Sequence, residues 1–169
     1  TANPGYTFQG WYDGDTLVSA NNPYVFTMPN DNLSYVARFS INSYTMTINV
    51  DSTRGSATGS GTYIYKSQVT LTATELSGYL FAGWYDGTTL ISNNNPYVLL
   101  MPAMNLTYEA KFLFHPYTLT IATMVPDGLG AEVTTSGAGS YEYQSPVTIS
   151  ASVNEGFELA GWYEETTLI

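Results

Sequence analysis

The sequence predicts an all-β, predominantly antiparallel fold, built as a tandem array of small units about 73 residues long, sandwich-like or β-grasp-like. Three observations carry that reading. The tripeptide Gly-Trp-Tyr recurs at Gly10-Trp11-Tyr12, Gly83-Trp84-Tyr85 and Gly161-Trp162-Tyr163. The well-patterned segments alternate apolar and polar residues at a period of two, the signature of a half-buried strand. No window of ten or more residues carries a helical stripe.

The repeat register comes first. The tryptophans stand 73 and then 78 residues apart. At an offset of 73, Asn22-Pro23-Tyr24 falls on Asn95-Pro96-Tyr97, Met28-Pro29 on Met101-Pro102, and Asn32-Leu33 on Asn105-Leu106. Phe39 falls on Phe112, and Tyr44-Thr45-Met46-Thr47-Ile48 on Tyr117-Thr118-Leu119-Thr120-Ile121. Of the first 42 residues, 24 are identical to their counterparts. An offset of 78 holds from Gly61 and Gly139 onward, so five extra residues lie between Ile121 and Gly139. Pro126-Asp127-Gly128 is turn-forming and is the expected place for them. The expected organisation is therefore the C-terminal part of one repeat at 1–42, a complete repeat at 43–115, and the N-terminal part of a third at 116–169. Thr1-Ala2-Asn3-Pro4-Gly5 already sits inside a repeat, so the natural start is expected upstream.

Within the complete copy, Tyr44, Met46, Ile48 and Val50 alternate with Thr45, Thr47 and Asn49. Val69, Leu71 and Ala73 alternate with threonines, and Leu106, Tyr108, Ala110 and Phe112 with Thr107, Glu109 and Lys111. Residues 79–85 and 97–101 read as two further strands, and 86–96 as a connection rich in Gly and Asn. Comparing copies sorts inside from outside. Phe26 becomes Leu99 and Phe8 becomes Leu159, so those positions demand apolar bulk. Thr27 becomes Leu100 and Val36 becomes Glu109, so those positions face water. The expected core comprises Trp11, Trp84, Trp162, Phe8, Phe81, Phe39, Phe112, Met28 and Met101. Roughly ten buried apolar side chains per copy, at about 1.5–3 kcal/mol each before entropy, make one unit marginal but viable. The short joint at 112–116 favours closely coupled neighbours.

Composition excludes several functions. Four cations against fourteen carboxylates give a net charge of −10, which repels nucleic acid and anionic membranes. There is no cysteine, hence no disulfide, thiolate metal site or cysteine nucleophile. No apolar run reaches the roughly 18 residues of a membrane span, and no stretch of these residues reads as a signal peptide. The single histidine, His115, sits at a repeat joint where the first copy has Asn42, and reads as structural. Neither a nucleophile elbow nor a phosphate loop occurs, so no catalytic residue and no cofactor are expected.

Other candidate sites are sparse. Asp13-Gly14-Asp15 and Asp86 offer oxygen ligands suited to calcium, but recurrence at one repeat position points to hairpin turns, and no metal is expected. Asn32-Leu33-Ser34 and Asn105-Leu106-Thr107 match the glycosylation sequon and read more simply as turns. Lys111 could suit an isopeptide crosslink, yet its counterpart is Arg38 and it falls on the outward face. Tyrosines are the candidate binding residues, because aromatic faces stack on sugars or anchor protein interfaces. Tyr12, Tyr85 and Tyr163 flank the turn after each tryptophan and are expected to be the better exposed. Tyr63, Tyr65, Tyr141 and Tyr143 form a second set.

In order along the chain, these phrases resemble the divergent internalin-B-type B-repeat: residues 44–48, 69–73, 78–85, 95–97, 101–102 and 105–112. The resemblance covers essentially the whole chain. It implies an exported, multi-repeat, Gram-positive surface protein, often an adhesin, with no catalytic residues to carry over. The family's better-studied units are β-grasp-like, packing a short helix on a sheet. Here the Glu75-Leu76-Ser77-Gly78 connection is too short for that helix, so an α+β β-grasp is the alternative fold. The expected function is a structural stalk, spacer or filament-forming module at the cell surface. The alternative is an adhesive module binding carbohydrate or a host protein through repeated Tyr and Trp faces. Open edges of the partial copies are pairing templates, so neighbouring repeats or identical chains are the expected partners.

Overall fold

The computed structural model describes residues 1–125 and 130–169, so the insertion expected around Pro126-Asp127-Gly128 lies outside the described residues. Every regular element among the described residues is a strand. The helix-bearing alternative therefore falls away. Two compact units divide the chain, Thr1–Leu76 with Phe81–Leu113, and Ser77–Leu80 with Phe114–Ile169.

The first unit begins with a sheet in the order β2-β1-β3, made of β1 (Tyr6–Asp13), β2 (Thr16–Ser19) and β3 (Val36–Ile41). Then follow β4 (Ser43–Val50), β5 (Gly55–Thr58), β6 (Gly61–Ile64), β7 (Gln68–Glu75) and β8 (Tyr79–Asp86). The complete copy ends with β9 (Thr89–Ser92), β10 (Tyr97–Leu100) and β11 (Leu106–Phe114). They form a five-stranded sheet, β6-β4-β11-β8-β9, and a three-stranded one, β10-β7-β5. Most pairs are antiparallel. The exception is β4 with β11, which run parallel with Met46 opposite Leu106 and Val50 opposite Ala110.

The core draws on both sheets: Met46, Trp84, Tyr108, Ala110 and Phe112 from one, Val69, Leu71 and Ala73 from the other, with Met101 just beyond β10. The period of two does this directly, since alternate Cβ atoms of a strand point to one face. The sheets close on each other at Gly55 of β5, where a Cβ would lie 2.4 Å from the Phe112 ring. Any side chain there would push the two sheets apart.

Three expectations need correction. The connection at 86–96 contains β9, which pairs with β8 through a two-residue turn at Gly87-Thr88. A register shift between Trp84 and Tyr85 breaks the alternation, so β9 lacks the pattern that betrays a strand. Strands β5 and β6 are also additions: β5 is made of small residues that carry little apolar signal, and β6 is only four residues long. Last, Met28 and Phe39 are not core: they are 60% and 47% exposed. Residues 1–42 hold no counterpart of β4–β7, so among the described residues no facing sheet covers that side. Trp11 is half-buried for the same reason. Residues 116–169 hold no counterpart of β10 and β11, and there Leu159 is exposed and Trp162 half-buried.

The second unit contains β12 (Tyr117–Leu119), β13 (Val133–Ser136), β14 (Gly139–Tyr141), β15 (Ser150–Val153), β16 (Tyr163–Glu164) and β17 (Thr167–Leu168). They pair as β12–β14, β13–β15 and β16–β17, which repeats the pairings β4–β6, β5–β7 and β8–β9. Among the described residues no helix is long and apolar enough to cross a membrane.

Candidate functional site

The repeated aromatics are the place to look, and each has a defined local setting. Strand β1 carries Tyr12 and its neighbour β3 carries Arg38, which pairs with Gly10 in register, two residues from Tyr12 along the strand. That diagonal puts the guanidinium 4.4 Å from the Tyr12 ring centroid. Arg38 also donates to the Gly14 carbonyl and pairs with Asp15 at 2.8 Å. In the next copy Lys111 lies 4.6 Å from the Tyr85 centroid, donates to the Gly87 carbonyl at 3.1 Å, and meets Glu109 at 3.4 Å. One cation thus clasps the tyrosine and the hairpin turn together. Tyr12 and Tyr85 are half-buried beneath it, and Tyr85 is more open than the fully buried Trp84. Lys111 is itself half-buried, with its amino group engaged. Tyr163 on β16 remains 55% exposed.

The tryptophans between these tyrosines and the core repeat their contacts as well. Trp84 Nε1 donates to the Asn94 carbonyl and Trp11 Nε1 to that of Asn21. Phe81 meets Trp84 and Phe112 edge-on, as Phe8 meets Trp11 and Phe39. Glycine precedes each tryptophan for a backbone reason. At Gly83, with φ of +142°, a Cβ would fall 2.5 Å from Leu90 and 3.0 Å from the Ser92 carbonyl of the crossing strand.

The second tyrosine set divides by role. The Tyr63 hydroxyl donates to the Gly59 carbonyl at 2.9 Å and that of Tyr141 to Gly137 at 2.7 Å, pinning each hairpin to its own turn. Tyr65 meets Tyr6 edge-on at 5.9 Å, and Tyr143 meets Tyr117 at 6.2 Å. The candidate metal residues close hairpins: Asp13 faces Thr16, Asp86 faces Thr89, and Asp15 holds Arg38. Among the described residues no group of three or more His, Cys, Asp or Glu comes together. His115 meets Tyr117 at 4.5 Å with the rings tilted by 44°, and its Nδ1 is buried without a hydrogen-bond partner.

Three asparagines, Asn94, Asn95 and Asn105, link segments separated in the chain. Asn95 receives the Ala73 N–H at 3.0 Å and donates to the Ala73 carbonyl at 2.7 Å, so its amide acts as one more strand residue beside β7. With the Asn94 carbonyl holding Trp84, these adjacent residues tie one sheet to the other. Asn105, the sequon residue, accepts from Thr45 N–H at 2.8 Å and fixes the start of β4. Recurrence of Asn-Pro-Tyr and Asn-Leu was visible; the partners were not, because they lie 22 and 60 residues away.

Among the described residues, two groups titrate away from their usual values. Burial, then Tyr97 and Asp86, raise the Tyr108 hydroxyl. Hydrogen bonds from the Thr53 side chain and backbone lower Asp51 against an opposing desolvation, with a lesser contribution from Arg54. Neither geometry assembles a nucleophile, a base and an oxyanion donor around one point.

The family model of the divergent InlB B-repeat domain matches residues 1–43, 44–114 and 120–169. Internalin H of Listeria monocytogenes is 36% identical over 108 residues, which is 64% of this chain and 19% of that protein. A "Putative membrane protein" of Evansella cellulosilytica is 28% identical over 163 residues, 95% of this chain and 23% of its own length. The chain therefore spans only about a fifth of either relative. No solved structure matches it.

Proposed function

Because this chain belongs to the divergent InlB B-repeat domain family, we propose that it is a non-catalytic structural module of an exported bacterial surface protein. Its role in that reading is stalk, spacer or filament-forming unit, and relatives named internalin and membrane protein favour the cell surface. The observation that supports it is the fate of the tyrosines. In successive copies the same side chains make the same internal contacts, clasped by a cation or bonded to a turn carbonyl. A ligand platform needs a free aromatic face, and recurrence here selects for occupied ones. Charge agrees: three of the four cations pair with carboxylates, and Lys66 lies over Tyr65, which leaves no basic surface for nucleic acid.

The test is binding. The chain is expected to give no signal on a glycan array or in a pull-down from host-cell extract, and added repeats are expected to lengthen the protein in proportion. A specific signal that Tyr85→Ala or Tyr163→Ala abolishes without unfolding the chain would replace this reading with the adhesive one.

A further inference from the structure

We propose that each repeat carries a docking surface for the next one, a glycine socket at the start of the Trp-bearing strand that receives a tyrosine ring from the following copy. Its purpose rests on the spacer reading, whereas its geometry does not. Gly5, Tyr6, Thr7 and Asn42 belong to the first copy and Tyr65 to the second. A Cβ at Gly5 would lie 2.1 Å from Tyr65 Cδ1, so the ring occupies the space a side chain would need. Around that contact the backbone forms a relay. Asn42 N–H donates to the Gly5 carbonyl at 2.8 Å, and Tyr65 N–H donates to the Asn42 carbonyl at 2.9 Å. The Asn42 side chain is held in turn by the Thr7 hydroxyl at 2.7 Å.

The glycine contact and the first bond of the relay recur one repeat later. Gly78 and His115 replace Gly5 and Asn42, and Tyr143 replaces Tyr65. A Cβ at Gly78 would lie 2.6 Å from Tyr143 Cβ, and His115 N–H donates to the Gly78 carbonyl at 2.9 Å. Residues Ser77–Leu80 accordingly belong to the compact unit of Phe114–Ile169 rather than to the rest of their own copy. Chain spacing differs between the two cases, 60 residues from Gly5 to Tyr65 and 65 from Gly78 to Tyr143. The contact is therefore kept while the loop length changes, which is what a selected interface does and an accident of connection does not. Tyr65 and Tyr143 recognise the glycine turn of a neighbouring copy; neither is a sugar platform.

Hydrogen exchange of the whole chain, read by mass spectrometry, tests this. Tyr65→Ala is expected to raise exchange in residues 6–13 and 41–42, in the preceding copy, by at least tenfold. Tyr65→Phe keeps the ring and is expected to match the parent chain. Tyr63→Ala removes a ring from the same hairpin, bonded only within its own copy, and is expected to leave residues 6–13 within twofold. Unchanged exchange there in Tyr65→Ala, or an equal rise in Tyr63→Ala, overturns the socket and leaves the spacer reading standing. Glycan capture by the parent chain would do the reverse.

Discussion

Residues 1–42 and residues 74–115 agree at 24 of 42 positions, yet one stretch builds a closed core and the other does not. Met101 is fully buried where Met28 is 60% exposed, and Phe112 is 3% exposed where Phe39 is 47%. Residues 97–100 form β10 against β7, while their counterparts at 24–27 form no strand. Local features survive in both: the Trp-bearing hairpin, the cation clasp, the indole bond to an Asn carbonyl. What separates the two is β4–β7, present before residue 74 and without counterpart in 1–42. Side-chain identity sets the capacity for burial, and the facing sheet decides whether it is realised.

Substitutions at paired positions press on that difference, and the largest effect belongs to the indole. Trp84→Ala is expected to cost about 3–5 kcal/mol in urea denaturation, and Trp11→Ala less than half as much. Met101→Ala should cost about 2–5 kcal/mol, against about 0.5 or less for Met28→Ala. Equal losses within either pair would mean that both stretches are packed alike. Asn95→Ala leaves both backbone groups of buried Ala73 unpaired and should cost about 1–3 kcal/mol, whereas Asn22→Ala should leave the melt unchanged. The clasp should show no such asymmetry. Lys111→Ala and Arg38→Ala are each expected to cost about 0.5–1 kcal/mol, because the contact is partly open to solvent and needs no second sheet.

The smallest effect appears only in alkali. Folding raises the Tyr108 hydroxyl above its ordinary value near 10, so the folded state favours the neutral form. Below about pH 10 both states keep the proton and stability is unaffected. Above it the unfolded chain ionises first, and stability falls as pH climbs toward the folded value. Tyr108→Phe should flatten that alkaline limb in a pH series of thermal melts, and an unaltered limb would assign it to other groups.

Much of this was legible because the pattern is local. The inward residues of β4, β7 and β11 follow from alternation alone, and comparison of the repeats places Leu100 and Val36 outside, where the fold has them. Strand β9 escaped because a bulge breaks its period, and β5 because Gly55 and Ala57 are chosen for close sheet approach rather than for bulk. At the candidate site, recurrence identified the tyrosines but not what covers them. Arg38 and Lys111 are far from Tyr12 and Tyr85 in sequence, and only strand register brings them together. Asn95 was read as part of a motif, since nothing near it in the chain names Ala73 as its partner.

The central claim is that a facing sheet, and nothing intrinsic to residues 1–42, separates the open copy from the closed one. Fusing a copy of residues 43–73 directly ahead of Thr1 supplies that sheet in the native register. Amide exchange at residues 24–27 of the fused chain should then slow to the rate of residues 97–100. Exchange that stays as fast as in the unfused chain would contradict the account.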